Sequence, residues 1–203
     1  MLVIRAFLAA VLITVPAVRA GAVETVRVAA AISLKDALSQ IAKDYESQTG
    51  AHVEFTFGSS GQLAAQIKSG APIDLFISAA NQQVDDLVKD GLLQNATRRP
   101  VIGNRLVLIA PADNPASVKN FESLASTSVT KIALGEPRSV PAGQYAQQVL
   151  NALGLLEKLK EKLVYGSNVR QVLAYVERGE VSAGIVYATD GRLCLSFRQS
   201  LKH

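Results

Sequence analysis

The chain has 203 residues, of which 49% are hydrophobic, 19% charged and 5% aromatic, with no Trp and one Cys, Cys194. That length holds one domain or two small lobes; a single cysteine excludes an internal disulfide, and so few aromatic rings argue against a sugar-stacking site. The formal charge of +4 overstates the basic character: Arg5 and Arg19 lie in the first 20 residues, and Arg192, Arg198 and Lys202 crowd an end without acids, so the body between them is nearly neutral, the overall charge says little about nucleic acid, and no nucleic-acid partner is expected.

Residues 1–20 read as a secretory signal peptide. Arg5 marks a short basic start, 7–15 form an apolar run, and Val18, Arg19 and Ala20 place small residues where a signal peptidase reads, with cleavage after Ala20 or Ala22. The run is too short to span a bilayer, no later segment reaches 18 apolar residues, and no cysteine near Ala20 could take a lipid. The mature chain is expected to be soluble and exported.

Alternation then predicts a strand over 23–31, running into Ser33. Helical spacing of Leu34, Ala37, Leu38, Ile41, Ala42 and Tyr45 predicts a helix over 33–48, capped by Ser33 with Asp36 and closed by Gly50. A second strand over 52–57 meets Ser59, which with Gln62 opens a helix ending near Gly70. A buried strand over 73–78 and a helix over 82–89 follow, stopped by Gly91. The stretch 97–104, TRRPVIGN, is a seam. Beyond it come a strand over 106–110, a loop over 111–116, a short helix at 121–126 and a strand at 131–134. Pro141-Ala142-Gly143 opens the next helix, Asn168 or Ser167 caps another that ends at Gly179, and 183–187 is a last buried strand. Lys158, Lys160, Glu161 and Lys162 read as a solvated helix face. Strands alternating with helices imply α/β layers with largely parallel pairing.

Two of these junctions, AAISLKDAL (30–38) and FTFGSSGQLAAQI (55–67), run a strand into a serine at a helix start. Such a junction offers free N–H groups, a hydroxyl and the positive end of a helix dipole, which together suit an anion. A fully deprotonated oxyanion only accepts hydrogen bonds, so its site should contain donors and no carboxylate. Plain N-capping explains Ser33 and Ser59 equally well on spacing alone. The other chemistry is thin. His52, His203 and Cys194 form no metal cluster, GSSG lacks the Lys-Ser/Thr of a phosphate loop, and no base stands near a nucleophilic serine.

Taken together, AAISLKDAL, FTFGSSGQLAAQIKSGAPIDLFIS, LGEPRSVPAGQYA and AGIVYATD resemble, in order and over about 26–190, the periplasmic molybdate-binding proteins of ABC transporters. The resemblance implies a two-lobe α/β periplasmic binding protein fold of the type II kind, with the ligand in the cleft between lobes. It implies a monomer that is not an enzyme, needs no cofactor, binds molybdate or tungstate without a counter-charge, and delivers it to an ABC permease from the periplasm. Carried over by position, the ligand contacts are the hydroxyls of Ser33, Ser60 and Tyr187 and the backbone N–H groups of Ala142 and Val169. Ser59, Gly61 and Asn168 are further candidates. Molybdenum is expected only within the oxyanion, with no direct protein ligand.

The lobes are expected at 21–100 and 101–188. The remainder, 189–203, departs from the family: after GIVYATD the chain reads GRLCLSFRQSLKH, without a pattern of helix or strand, as a frameshift or early stop would leave it. The first lobe is therefore expected to lack elements that cover its sheet. The alternatives are a receptor for sulfate or another oxyanion, a remnant that no longer binds, and an effector-binding regulatory domain, against which the leader argues.

Overall fold

The computed structural model describes residues 23–192 and the backbone of Arg198–Gln199. The expected leader and most of the expected aberrant tail lie outside the described residues. The first lobe contains β1 (Thr25–Ala31), α1 (Lys35–Thr49), β2 (His52–Gly58), α2 (Ser60–Lys68), β3 (Leu75–Ile77) and α3 (Asn81–Lys89). The second contains β4 (Leu106–Ile109), β5 (Ile132–Gly135), α4 (Pro141–Ala152), α5 (Leu156–Leu159), β6 (Leu163–Gly166), α6 (Val169–Glu177), β7 (Ala183–Tyr187), α7 (Ala188–Gly191) and β8 (Arg198–Gln199).

The first sheet has the order β2-β1-β3, all parallel. The second has the order β6-β5-β7-β4-β8, in which β5 runs parallel to β6 and β7 while β4 is antiparallel to β7 and β8. Parallel strands finish on a common edge, and the loops beyond that edge are where such sheets hold ligands. Here β1, β2 and β3 end at Ala31, Gly58 and Ile77, while β5, β6 and β7 end at Gly135, Gly166 and Tyr187. Each serine, helix start and tyrosine singled out above sits just beyond, or at, one of these ends.

Pleat alternation builds the second lobe's two cores. Leu108, Ile132, Leu134, Ala183 and Ile185 pack on one face with Ala146 and Leu150 of α4, and Val107, Ile109 and Ala133 pack on the other with Val172, Leu173 and Val176 of α6. Covered on both faces, β7 is buried at every residue. The first lobe is thinner. Ala29 packs with Leu63, Ala64 and Ile67 of α2 and Leu87 of α3, but α1 buries only Ala42 and leaves Ile41 and Tyr45 exposed.

Several expectations change. The stretch 33–48 is not one helix: a 3-10 turn at Ile32–Leu34 precedes α1, and neither start has a side-chain cap, so Ser33 is not an N-cap. β3 is not buried, because among the described residues it pairs with β1 alone at the sheet's edge, and Leu75 is 49% exposed. β6 went unread: it is short, half-covered, and follows a lysine-rich run that reads as helix. Lys162 is not merely solvated, since its Nζ donates to the carbonyls of Leu124 and Ser126 at the end of a 3-10 turn. α7 ends at Gly191, where the stretch that lacked a pattern begins, and within that stretch β8 pairs with Leu108–Ile109.

The start of α4 depends on a backbone contact: a Cβ on Gly143 would lie 1.9 Å from the Gly135 carbonyl oxygen. Gly143→Ala should cost about 2 kcal/mol or more, because backbone cannot swing aside as a side chain does. Urea unfolding of the variant against the parent chain reads the loss.

Candidate functional site: an inter-lobe pocket lined by donors

Ser33, Ser60, Ala142, Val169 and Tyr187, drawn from five separate stretches of chain, line one small pocket between the lobes. Its volume is about 10 Å³, room for about one water. Ser33, Ala79 and Tyr187 also border a larger, outer pocket of about 380 Å³, where exposed Arg105 and half-buried Tyr145 join the lining.

The local structure explains why each group is available. Ser59 is the N-cap of α2, its Oγ accepting from the Gln62 N–H at 3.4 Å. Ser60, fully buried, is the first residue of that helix, and its Oγ accepts from the Ala79 N–H at 2.9 Å. With that acceptor position filled, its own proton is left to donate. Asn168 caps α6 through the Gln171 N–H at 3.0 Å, which leaves Val169 as the first helical residue, without a carbonyl four residues back in the helix. In α4, Pro141 opens the helix and the N–H groups of Gly143 and Gln144 turn back to Val140, so Ala142 presents a first-turn N–H at the pocket. The Tyr187 hydroxyl reaches the Ala79 carbonyl at 3.5 Å, the outer limit of a hydrogen bond. Burial first, then Tyr145 and Asp190, push this phenol well above its ordinary value, so it remains a protonated donor.

Among the described residues no charged side chain lines the inner pocket. The charge lies just behind it. Asp190, fully buried, faces Arg170 across a 2.8 Å ion pair that is not aligned as a hydrogen bond. Burial raises its carboxyl to about 6 against the attraction of Arg170, with Asp36 adding to the rise. Asp36 was expected to cap its own helix; instead its Oδ2 accepts from Arg170 at 2.7 Å. Gly61, a candidate ligand contact, donates its N–H to the Ser139 carbonyl at 2.9 Å across the cleft. Arg105 at the outer pocket and Arg170 behind the inner one were not singled out, since a lone arginine in a seam or on a helix carries no sequence signal.

Residues 26–198 match the family described as bacterial extracellular solute-binding protein. The chain belongs to that family. It is a binding protein, not an enzyme. Among its relatives, the putative ABC transporter substrate-binding lipoprotein YvgL of Bacillus subtilis is 46% identical over 82% of this chain and 64% of its own length. The molybdate-binding protein ModA of Haemophilus influenzae is 43% identical over 83% of this chain and 68% of its own length. The periplasmic molybdate-binding protein of Azotobacter vinelandii superposes with a TM-score of 0.73 at 33% identity, covering 80% of this chain and 71% of that structure. This solute-binding protein thus spans about two thirds of the length of the curated relatives it matches.

Two predictions arise from the geometry. A Cβ on Gly61 would meet the Ser139 carbonyl oxygen at 2.6 Å. Gly61→Ala should therefore hold the lobes apart, raising the radius of gyration in small-angle scattering, although alanine favours the helix by about 0.5–1 kcal/mol over glycine. For Asp190, a folded-state value raised from the usual 3.8 to about 6 means that the folded chain holds the proton more tightly. That contribution to stability is complete below about 4 and is lost as pH rises through about 6. The stability of the parent chain relative to Asp190→Asn should fall by about 3 kcal/mol in all, from well below the lower value to well above the upper one, read by urea titrations at a series of pH values.

Proposed function

We propose that this chain captures molybdate, and its close analogue tungstate, outside the cytoplasm and delivers it to an ABC permease. The observation that carries the reading is the convergence of hydroxyl and backbone donors on a pocket that, among the described residues, has no charged lining side chain. A doubly charged anion that only accepts hydrogen bonds is stabilised there by helix starts and hydroxyls, each donor–anion bond stronger than a neutral one. A protonated oxyanion, which must also donate, finds no carboxylate in the lining. The names of two relatives at 43% and 33% identity, both molybdate-binding proteins, support the choice of anion.

In this reading Ser33, Ser60 and Tyr187 donate through hydroxyls, and Ala142 and Val169 donate through N–H groups. The leader over residues 1–20 exports the chain, which works as a monomer without cofactor or nucleic acid. Closure of the lobes on the anion creates the form the permease recognises. Sulfate carries the same charge, so discrimination rests on pocket size and not on electrostatics.

The test is a thermal melt with molybdate, tungstate, sulfate and phosphate in turn, followed by calorimetric titration. Molybdate and tungstate should raise the melting temperature and phosphate should not. A transition raised most by sulfate would assign a sulfate receptor, and one indifferent to every anion would overturn the reading. Ser60→Ala, and separately Tyr187→Phe, should each weaken molybdate binding by about 10- to 100-fold, since each removes one donor to a charged group.

A further inference from the structure

Arg170 ties together three parts of the chain that are distant in sequence. It follows Val169 at the start of α6, and its side chain is 25% exposed. Its Nε stands 2.8 Å from the buried carboxylate of Asp190 in α7, and its Nη2 donates at 2.7 Å to Asp36 in the first turn of α1. Asp190 belongs to Arg170's own lobe, so that pair survives any change in the angle between lobes. Asp36 lies on the opposite lobe, and an opening rotation would draw it out of reach. Asp36 comes three residues after Ser33, and Arg170 one residue after Val169. The ion pair therefore joins two sides of the pocket without lining it.

We propose that Arg170 is a positioning residue for lobe closure: anchored on Asp190, it captures Asp36 only as the lobes come together, and so holds the α6 start and its Val169 N–H against the Ser33 side of the pocket. The planar guanidinium suits this double role, because its fork addresses two carboxylates at once, whereas an ammonium is a single point charge. Asp190 keeps the guanidinium extended toward the cleft before closure, which reduces the ordering that closure requires. The proposal rests on the anion-binding reading given above.

The experiment is molybdate titration, with dissociation rates, of the full chain against Asp36→Asn, Asp36→Glu, Arg170→Gln and the double variant Asp36→Asn/Arg170→Gln. Small-angle scattering of the same proteins accompanies it, with and without molybdate. At low salt Asp36→Asn should weaken binding about two- to five-fold, through faster dissociation, in keeping with a partly exposed pair. The deficit should shrink between about 10 mM and about 1 M salt, where screening weakens the pair in the parent chain as well. Asp36→Glu should restore part of the affinity, and Asp36→Asn should add nothing in the Arg170→Gln background. An equal loss in that background, a loss indifferent to salt, or no loss at all would overturn the proposal. Should Arg170→Gln fail to fold with Asp190 left unpaired, the salt series on Asp36→Asn decides alone. If the parent chain binds no molybdate, the anion reading fails. The ligand-free scattering then decides the latch: a larger radius of gyration for Asp36→Asn supports it, and an unchanged radius overturns it.

Discussion

Buried backbone donors need acceptors, and the starts of α4 and α6 carry donors that their own helices cannot satisfy. The chain brings these starts, together with that of α2, to one place between two sheets, and it removes side chains that would obstruct their approach. Gly61 and Gly143 each meet opposing backbone at a distance no Cβ could occupy. The Gly61 N–H is answered by Ser139 from the other lobe, and the Gly143 N–H by Val140 within its own turn. What is left presented at the pocket is a small set of N–H groups and hydroxyls. The parallel strands, the capped starts and the glycine contacts all serve that convergence.

The helix starts were legible because their signals are local. Ser59 and Gln62, Pro141, and Asn168 are capping patterns that act within one turn, and in the structure they open α2, α4 and α6. Gly50, Gly91 and Gly179 mark helix ends for the same reason, each with positive φ. What was not legible depends on partners far away in the chain. Ser33 with Asp36 looks like a cap, yet Asp36 is claimed by Arg170 from the other lobe, and the turn before α1 tightens to a 3-10 form. β3 reads as buried from its apolar run, but burial is decided by sheet order, and among the described residues β3 has a neighbour on one side only. The five pocket residues come from separate stretches that spacing cannot relate; family resemblance grouped them, and the fold brings them to one cavity.

The charges are arranged in two tiers. Among the described residues, the inner pocket has hydroxyls and amides at its surface and no ionised group. Behind it lie two carboxylates and one guanidinium, a surplus of negative charge when all are ionised. Arg170 screens that surplus from the cleft, and burial of Asp190 favours its neutral form as pH falls toward 6. Tyr187 remains a hydroxyl across this range, because burial and the adjacent groups oppose its ionisation. The donor set facing the pocket is thus constant in protonation, and the titrating group is one the anion would not touch. Any pH dependence of anion affinity should reach the pocket through the angle of α6 and the distance between lobes. Charge cannot separate molybdate from sulfate in such a site, and donor chemistry cannot either. In the proposed reading, discrimination falls to the spacing that Gly61, Gly143 and the Arg170 ion pairs impose on five chain segments, so contacts outside the pocket bear on what it would select.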